Sequence, residues 1–403
     1  MVRFADILFW CYVCFGPLMS VGLWAGLLLA RSRMNRLDGA MPSLPEPSPH
    51  VTVVIPAKDE AGHIRRCVEQ ALSLDFPNYS IVCVDDRSVD STGAILDELG
   101  AAHPLRLRVV HIGPGDLPPG WLGKCNALHL ATRDMRSDWI FFLDSDVKVR
   151  PEALRHVLGV AIQRKYDAVS LMTSLDGRTF WENLMIPVLA GAWGTMFSAS
   201  LTNNDDLRNI AVANGQLFLV RRLAYERVGG HAAVRDQITE DVELMRLLKA
   251  NGFVCRLLNA PHLASIHMHA TLRELRSGWG RIFSGTARMR PARMIVAMVW
   301  VMLCGLSMYP AAAWGAWDAA HNGRFAWLGV ASAHFLLLSA FLAHLYHTAR
   351  SKVWMALLFP LSGTVLLELL GHGVHRCVTR KIEWRGTTFT TRDRDRVIQS
   401  SDH

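Results

Sequence analysis

Apolar residues are concentrated at the two ends of the chain, whereas the middle alternates short apolar runs with polar segments. Residues 7–30 carry no formal charge, and as a helix they would span about 36 Å, more than the ~30 Å hydrocarbon core of a bilayer. A cleaved signal peptide has a shorter apolar region, about 7–15 residues long, with basic residues before it. Here Arg31, Arg33 and Arg36 follow the run, so the pattern predicts an uncleaved membrane anchor.

Three further apolar stretches lie near the C-terminus, at residues 294–317, 325–346 and 353–370. Three arginines precede the first of them, within residues 288–293. Positive residues that flank membrane spans tend to stay in the cytoplasm. The middle of the chain is therefore predicted to face the cytoplasm, and the N-terminus the opposite side.

The last apolar stretch, residues 353–370, fits a full crossing poorly. It contains Pro360, Ser362, Gly363 and Glu368, and a fourth crossing would place the basic C-terminal tail outside. Irregular or polar segments at membrane depth are tolerated where protein or water surrounds them. We therefore expect this stretch to be re-entrant or interfacial.

The middle, from about residue 50 to 280, has the pattern of a strand-and-helix domain. The predicted strands are short and apolar, and apolar residues recur three and four apart in the segments between them. The predicted strands are residues 51–56, 81–84, 106–112, 139–143 and 168–172, and the predicted helices are 60–74, 91–99, 124–133 and 151–163. Strands that alternate with helices predict an α/β fold with a mostly parallel sheet, whose ligands bind at the carboxyl ends of strands.

These patterns divide the chain into five regions. Residues 42–49 hold four prolines, which is typical of a stiff linker. The predicted regions are an N-terminal membrane anchor at 1–36, a Pro-rich linker at 37–50, a cytoplasmic domain at 51–290, a C-terminal membrane region at 291–375 and a basic tail at 376–403. A fifth crossing at the apolar run 184–201 would put the two halves of the domain on opposite sides. We expect that run to lie at the bilayer surface, with ordinary core packing as the alternative.

Composition narrows the class of function. The 403 residues include 43 Lys+Arg and 35 Asp+Glu, a formal charge of +8, and 51% are hydrophobic. That apolar fraction excludes a disordered chain, and the length excludes a small disulfide scaffold. The basic balance suits an anionic leaflet and an anionic small substrate. No basic helix or aromatic-rich motif indicates a nucleic acid partner.

Acidic residues follow three of the predicted strands. In chain order they are Asp59 and Glu60, Asp85 and Asp86, and Asp144 and Asp146. An acid at a strand end is a common turn former and helix cap, but three such ends at one edge of a sheet indicate a site. The Asp-x-Asp pair could hold Mg²⁺ or Mn²⁺, which bridges the two phosphates of a nucleotide diphosphate.

Six motifs, in their order and spacing, resemble those of membrane-anchored family 2 glycosyltransferases. They are PAKDE at 56–60, DDRSVDST at 85–92, GWLGKCNAL at 120–128, FLDSDV at 142–147, NGQ at 214–216 and ITEDVEL at 238–244. Within that family the chain looks most like bacterial hopene-associated and carotenoid lipid glycosyltransferases. The resemblance implies a nucleotide-diphospho-sugar transferase domain of the GT-A fold, flanked by transmembrane helices.

The resemblance also implies a role for each matching residue. The donor-nucleotide site would comprise Pro56, Asp59, Glu60, Asp85, Asp86, Lys124 and Asp144. Asp146, with Asp144, would hold Mg²⁺ or Mn²⁺, and Asp241 would be the general base. The acceptor and sugar region would comprise Asn214, Gly215, Gln216, Glu240, Trp279 and Arg281. A base there takes the proton of an acceptor hydroxyl as it attacks the anomeric carbon, and one such displacement inverts that carbon.

Some of these segments have a plainer interpretation. Acids at 240–243 are also expected at a helix N-terminus, where they meet the helix dipole, with Thr239 as the cap; we expect the helix start to hold the base as well. Residues 214–216 could be a plain turn. The family's Gln/Arg-x-x-Arg-Trp signature is not intact, because residues 276–281 read RSGWGR. Trp279 and Arg281 are therefore stand-ins, which disfavours a processive enzyme.

The sequence thus predicts an integral protein of a bacterial inner or plasma membrane that moves a hexose from a UDP-sugar to a lipid acceptor at the cytoplasmic face. Its partners would be the UDP-sugar donor, the lipid acceptor and the bilayer, with no nucleic acid. One alternative is a processive β-glycan synthase, which would need more spans and an intact signature. The other is a non-catalytic nucleotide-binding membrane protein, which would lack the base or the metal ligand.

Overall fold

The chain divides into two compact units. The computed structural model describes residues 4–33, 37, 42–196, 199–267, 269, 271–384, 387–392 and 396–399. The helical unit comprises Met1–Ser32, Gly177–Ser198 and Met268–Arg380, and the sheet unit comprises Arg33–Asp176, Ala199–His267 and Lys381–His403. The domain boundaries predicted from the sequence stay predictions.

The elements are numbered in chain order. The strands are β1 (Val51–Ala57), β2 (Tyr79–Asp86), β3 (Leu107–Ile112), β4 (Trp139–Leu143), β5 (Val147–Val149), β6 (Ala168–Met172), β7 (Ser174–Leu175), β8 (Leu217–Arg221), β9 (Cys255–Asn259), β10 (Ala264–Ile266), β11 (Lys381–Trp384), β12 (Thr387–Arg392) and β13 (Arg396–Gln399). The helices are α1 (Phe4–Val13), α2 (Met19–Arg33), α3 (Ile64–Leu72), α4 (Thr92–Ala102), α5 (Gly123–Thr132), α6 (Ala153–Gln163), α7 (Phe180–Met196), α8 (Arg222–Arg227), α9 (Glu240–Ala250), α10 (Leu272–Thr286), α11 (Pro291–Val301), α12 (Met308–Asn322), α13 (Ala326–Thr348) and α14 (Phe359–Thr379).

The sheet unit is built on a seven-stranded sheet in the order β3-β2-β1-β4-β8-β6-β9. The first four strands are parallel, β8 is antiparallel to both of its neighbours, and β6 and β9 are parallel. Helices connect the parallel strands, so both faces of β1 and β4 are covered, and all five residues of β4 (WIFFL) are buried. The predicted mostly parallel α/β sheet is confirmed. The predicted helix at 60–74 begins only at Ile64.

Within the described residues, the helical unit contains four helices that are long and apolar enough to cross a membrane. They cover Asp6–Leu29, Pro291–Asn322, Ala326–Thr348 and Val353–Thr379. Large apolar side chains on these helices, such as Trp10, Trp314 and Leu336, are exposed. Exposed apolar surface of this kind is suited to contact with lipid chains.

A buried histidine connects three of these helices. The ring of His334 on α13 is fully buried; its Nε2 lies 2.9 Å from the carbonyl oxygen of Cys304, and its Nδ1 lies 3.0 Å from the hydroxyl of Tyr12. Two π-helical segments, Cys14–Leu18 and Met302–Leu306, lie along the same connection. Polar contacts of this type hold helices together where no water competes.

The last helix, α14, runs antiparallel to α11. A Cβ atom at Gly305, near the middle of the long helix Pro291–Asn322, would lie 2.7 Å from the ring of Phe359 at the start of α14. Near the other end of α14, a Cβ atom at Gly373 would lie 3.3 Å from the sulfur of Met294. These contacts place the start of α14 halfway along that helix rather than at its far end.

The apolar run at 184–201 forms much of α7. Leu184 and Leu189 are fully buried, and the hydroxyl of Tyr346 on α13 donates a 2.5 Å hydrogen bond to the carbonyl oxygen of Leu184. This first half therefore packs as core of the helical unit, which was the alternative interpretation. Residues 197 and 198 of the run lie outside the described residues.

Candidate active site

The loops after β1 and β2 are joined by hydrogen bonds. Asp85, near the end of β2, is the register partner of Ala57, the last residue of β1. The backbone N–H of Asp59 donates to Ser88 Oγ at 2.9 Å, and the N–H of Val89 donates to Asp59 Oδ1 at 2.8 Å. Asp59 adopts the left-handed backbone conformation, with φ of 53°. One carboxylate oxygen of Asp59 therefore stabilises the loop, and its predicted contact with the nucleotide stays a prediction.

The two acids at the end of β2 have different partners. Asp85 is 8% exposed and accepts a hydrogen bond from the N–H of Ser88. Asp86 is 3% exposed, and the guanidinium of Arg87 donates to both of its oxygens, at 2.7 and 2.9 Å. A Cβ atom at Gly123 would clash with Asp86 and Arg87, so glycine is required where α5 begins beside this pair. The predicted nucleotide contact of Asp86 is not tested by this geometry.

Lys124 joins two acids from separate segments of the sheet unit. Its Nζ lies 2.8 Å from Asp144 Oδ1, just after β4, and 2.9 Å from Glu240 Oε1, at the start of α9. Burial alone would lower the pKa of Lys124, but the carboxylates of Asp144 and Glu240 outweigh burial and hold the pKa well above its usual value. Three predicted site residues from separate segments thus meet, with the cation of Lys124 between the carboxylates of Asp144 and Glu240.

Asp144 and Asp146 form the acidic end of β4. Burial, together with the neighbouring charges of Asp144 and Glu60, raises the pKa of Asp146 to about 6. Burial also raises the pKa of Asp144, although Lys124 opposes that shift. The structure therefore concentrates negative charge here that an added cation would stabilise.

The chemistry of this group of acids fits a hard divalent cation. Among the residues that the structure describes, no set of three or more His, Cys, Asp or Glu side chains is arranged to hold a metal ion. Mg²⁺ in phosphate-binding sites commonly takes one or two carboxylates from the protein and its other ligands from phosphates and water. Asp146, with Asp144, can supply that share.

Asp241 is the second residue of α9. Burial and the adjacent Glu240 raise its pKa while Lys124 lowers it, and the net value is about 7. Its Oδ1 accepts a 2.8 Å hydrogen bond from the N–H of Val242. Thr239 occupies the N-cap position as predicted, but its side chain makes no capping hydrogen bond. The start of α9 thus carries Asp241 beside the Lys124 cluster.

The segment 214–216 lies against Asp241. A Cβ atom at Gly215 would come within 3.1 Å of Asp241 Oδ2. Asn214 is fixed to β6, because its N–H donates to Ser170 Oγ at 2.7 Å and its side-chain amide donates to the carbonyl oxygen of Leu171 at 2.8 Å. Thr173 adds a short hydrogen bond to the side chain of Gln216. These hydrogen bonds fix the conformation of the loop beside Asp241, so it is more than an isolated turn.

Three more of the predicted residues lie on α10 and β1. Trp279 and Arg281 belong to α10 in the helical unit, where Trp279 is buried beside Phe283 with ring centroids 6.0 Å apart. Their predicted place in the acceptor region stays a prediction. Pro56 lies within β1 and is partly buried.

Sequence reasoning missed His111, whose ring contacts Asp85. Its Nδ1 lies 3.1 Å from Asp85 Oδ2, and the two residues are register partners in the parallel pair β2–β3. The signal was present, because both predicted strands ended near these residues and parallel neighbours place their carboxyl ends at one edge.

A family model matches nearly the whole chain. The model, described as glycosyl transferase family 21, covers residues 18–397. The chain belongs to glycosyl transferase family 21. The recognition predicted from the six motifs, a membrane-anchored glycosyltransferase of the GT-A type, is thereby confirmed.

Two curated relatives and one solved structure illustrate what this family 21 chain is similar to. It is 30% identical to a beta-monoglucosyldiacylglycerol synthase of Synechocystis sp. over 53% of this chain and 43% of the relative. It is 21% identical to a 4,4'-diaponeurosporenoate glycosyltransferase of Staphylococcus haemolyticus over 64% of this chain and 68% of the relative. The chain thus spans less than half the length of the first of these relatives.

The solved structure is the mannosyltransferase PcManGT from Pyrobaculum calidifontis, in complex with GDP-Man and Mn²⁺. It aligns with 90% of this chain and 98% of its own, with a TM-score of 0.50 and 18% sequence identity. This likeness concerns the fold, and it agrees with the GT-A architecture predicted from the sequence.

Proposed function

We propose that this family 21 protein transfers a hexose from a UDP-sugar to a hydroxyl group of a membrane lipid at the cytoplasmic face, with inversion of the anomeric carbon. The observation that carries the proposal is the meeting of Lys124, Asp144, Glu240 and Asp241. It combines a cation suited to a diphosphate with a carboxylate suited to a hydroxyl proton.

Separate residues act on the acceptor hydroxyl and on the leaving diphosphate, which lie on opposite faces of the anomeric carbon. Asp241, whose pKa of about 7 suits a base at neutral pH, accepts the proton of the acceptor hydroxyl. The acceptor oxygen forms a bond to the anomeric carbon while the bond to the diphosphate oxygen breaks. Because this is one displacement from the opposite face, an α-linked donor yields a β-glycoside.

The other residues of the site stabilise the negative charge of the leaving diphosphate. Lys124, positioned by Asp144 and Glu240, places its charge where negative charge develops. Asp146, with Asp144, would hold Mg²⁺ or Mn²⁺, which when bound neutralises phosphate charge. Asp85 remains available for a hydrogen bond from the nucleoside, since its oxygens accept from Ser88 and contact His111 without a bidentate partner.

A lipid acceptor is supported by the membrane helices and by the relatives. Four helices in the described part of the chain are long and apolar enough to cross a membrane, and both relatives are named for lipid or carotenoid acceptors. The name of the first relative also specifies a β-linked glucosyl product. A processive β-glycan synthase is disfavoured by the altered signature around Trp279, and a non-catalytic protein is disfavoured by the presence of both Asp241 and Asp146.

The test is a transfer assay with membranes that contain the full chain. A panel of radiolabelled UDP-sugars, with GDP-mannose as a further donor, is supplied, and extracted lipids are separated and identified by mass spectrometry. We expect one UDP-hexose to label a lipid, and Asp241→Asn to lower the rate of labelling by about a hundredfold or more. Glu243→Gln, which removes another acid of α9, should retain it and serves as the matched control. Label in a water-soluble polymer, or in no product with any UDP-sugar, would contradict the proposal.

A further inference from the structure

His111 lies between two carboxylates at the sheet edge where the nucleotide is proposed to bind. Its Nδ1 is 3.1 Å from Asp85 Oδ2 on β2, and its Nε2 is 2.8 Å from Asp97 Oδ1 on α4. The three side chains therefore form a bridge in the order Asp97, His111, Asp85. The charged groups that face His111 are these two carboxylates.

The bridge is complete only in one protonation state. A neutral imidazole donates through one ring nitrogen and accepts through the other, whereas a carboxylate only accepts. Two carboxylates at hydrogen-bond distance are therefore both satisfied only by the imidazolium. The hydrogen bond to Asp97 raises the pKa of His111 most, and the bond to Asp85 adds to it, against the opposing effect of burial. The imidazole side chain is 45% exposed, so solvent weakens each contact.

The backbone around Asp85 makes its carboxylate sensitive to this contact. Its other oxygen accepts only a long hydrogen bond, 3.3 Å, from the N–H of Ser88. A Cβ atom at Gly93 would lie 2.7 Å from Asp85 Oδ2, so α4 approaches closely because residue 93 is glycine. That approach lets Asp97, one helical turn further on, reach His111 Nε2. His111 thus lies closer to the Asp85 carboxylate than the N–H of Ser88 does.

We propose that His111 is a positioning residue for nucleoside diphosphate binding: as the imidazolium it fixes the Asp85 carboxylate as an acceptor for the nucleoside, and on losing a proton it releases that carboxylate. The inference rests on the proposed function, since it takes Asp85 as a nucleotide contact. By linkage, nucleotide binding then favours the protonated ring. UDP affinity should therefore fall as the pH rises through the pKa of His111.

The test is calorimetric titration of the full-length protein in detergent micelles with UDP, between pH 6 and pH 8.5. Because UDP itself titrates in this range, the quantity compared is the ratio of dissociation constants for each variant and the unaltered protein. His111→Gln keeps a donor toward Asp85 but cannot titrate, and we expect the unaltered protein to lose about three- to tenfold more affinity than this variant across the range. Asp97→Asn removes the carboxylate that raises the pKa of His111 most, so the loss should occur at lower pH with similar size.

If His111 had a purely structural role, Asp97→Asn would not change the pH at which the affinity for UDP is lost. If His111→Gln and Asp97→Asn follow the pH dependence of the unaltered protein, the inference is wrong while the proposed function stands. If the unaltered protein binds no UDP at any pH, the inference and the proposed donor are both wrong.

Discussion

At the scale of single residues, the proposed reaction depends most on the carboxyl group of Asp241. Burial and the adjacent Glu240 raise its pKa, while the cation of Lys124 limits the rise, and the balance lies at about 7. A carboxyl group with this pKa is both a good proton acceptor and substantially ionised at neutral pH. The residue next to it in the chain is the one that positions Lys124, so base and cation are fixed by one turn of α9.

The pH dependence of the reaction follows from this pKa. Only the deprotonated form of Asp241 can accept a proton, so kcat/KM should rise with pH through about 7 and level off above it. One pH unit below that midpoint, the rate should be about tenfold below the plateau. The measurement is initial rate against pH with the donor identified by the membrane assay.

Asp241→Asn provides the comparison for that profile. It should lower kcat by about a hundredfold or more, as expected for a lost general base, and its remaining activity should lack the rise near pH 7. A variant profile with the same inflection would assign the titration to another group and remove Asp241 from the role of base.

How far the sequence predicts the site also differs from residue to residue. The order and spacing of the motifs identified Lys124, Asp144 and Asp241, and the structure brings these together. The internal partners of Asp59 and Asp86 could not be predicted, because they depend on left-handed backbone at Asp59 and Arg87, with φ of 53° and 57°. Neither is a position where a non-glycine residue is expected to adopt that conformation.

At the scale of elements, the parallel half of the sheet was predictable because β1, β2 and β4 are short apolar runs between amphipathic helices. The antiparallel insertion of β8 between β4 and β6 was not, since the sequence pattern of β8 carries no signal of direction. Periodicity reports which positions are buried, whereas the order of strands depends on contacts between distant segments.

The position of helix α14 leads to a testable prediction about the membrane topology of the chain. This helix begins beside Gly305, halfway along the helix Pro291–Asn322, and reaches the level of Met294 by Gly373. A short 3₁₀ segment, Val353–Leu358, precedes it. A re-entrant segment would have to start partway along its neighbour in this way and run back beside it; that this segment is re-entrant stays a prediction.

The chain should therefore have its C-terminus and the loop at residues 349–352 on the same side of the membrane. A fluorescent protein fused to the C-terminus of the full chain should fluoresce in the cytoplasm, as should one inserted after Arg350. Alkaline phosphatase inserted after Gly323, between α12 and α13, should be active outside and provides the opposite control. Active alkaline phosphatase at the C-terminus would mean that α14 crosses completely.

At the scale of the whole molecule, the two units carry different parts of the proposed reaction. The acids and Lys124 belong to the sheet unit, and the four apolar helices belong to the helical unit. The family 21 match extends over both, from residue 18 to residue 397. The proposed reaction, with a water-soluble donor and a lipid acceptor, would use both kinds of unit.

The most direct test of the central claim, that these acids gather around a divalent cation and a sugar nucleotide, is UDP binding to the full chain with and without Mn²⁺. We expect the unaltered protein to bind UDP in a Mn²⁺-dependent way, Asp146→Asn to lose at least tenfold in affinity and the dependence on Mn²⁺, and Asp241→Asn to bind normally. UDP affinity that is equal with Mn²⁺ and with EDTA, and unchanged in Asp146→Asn, would contradict the account.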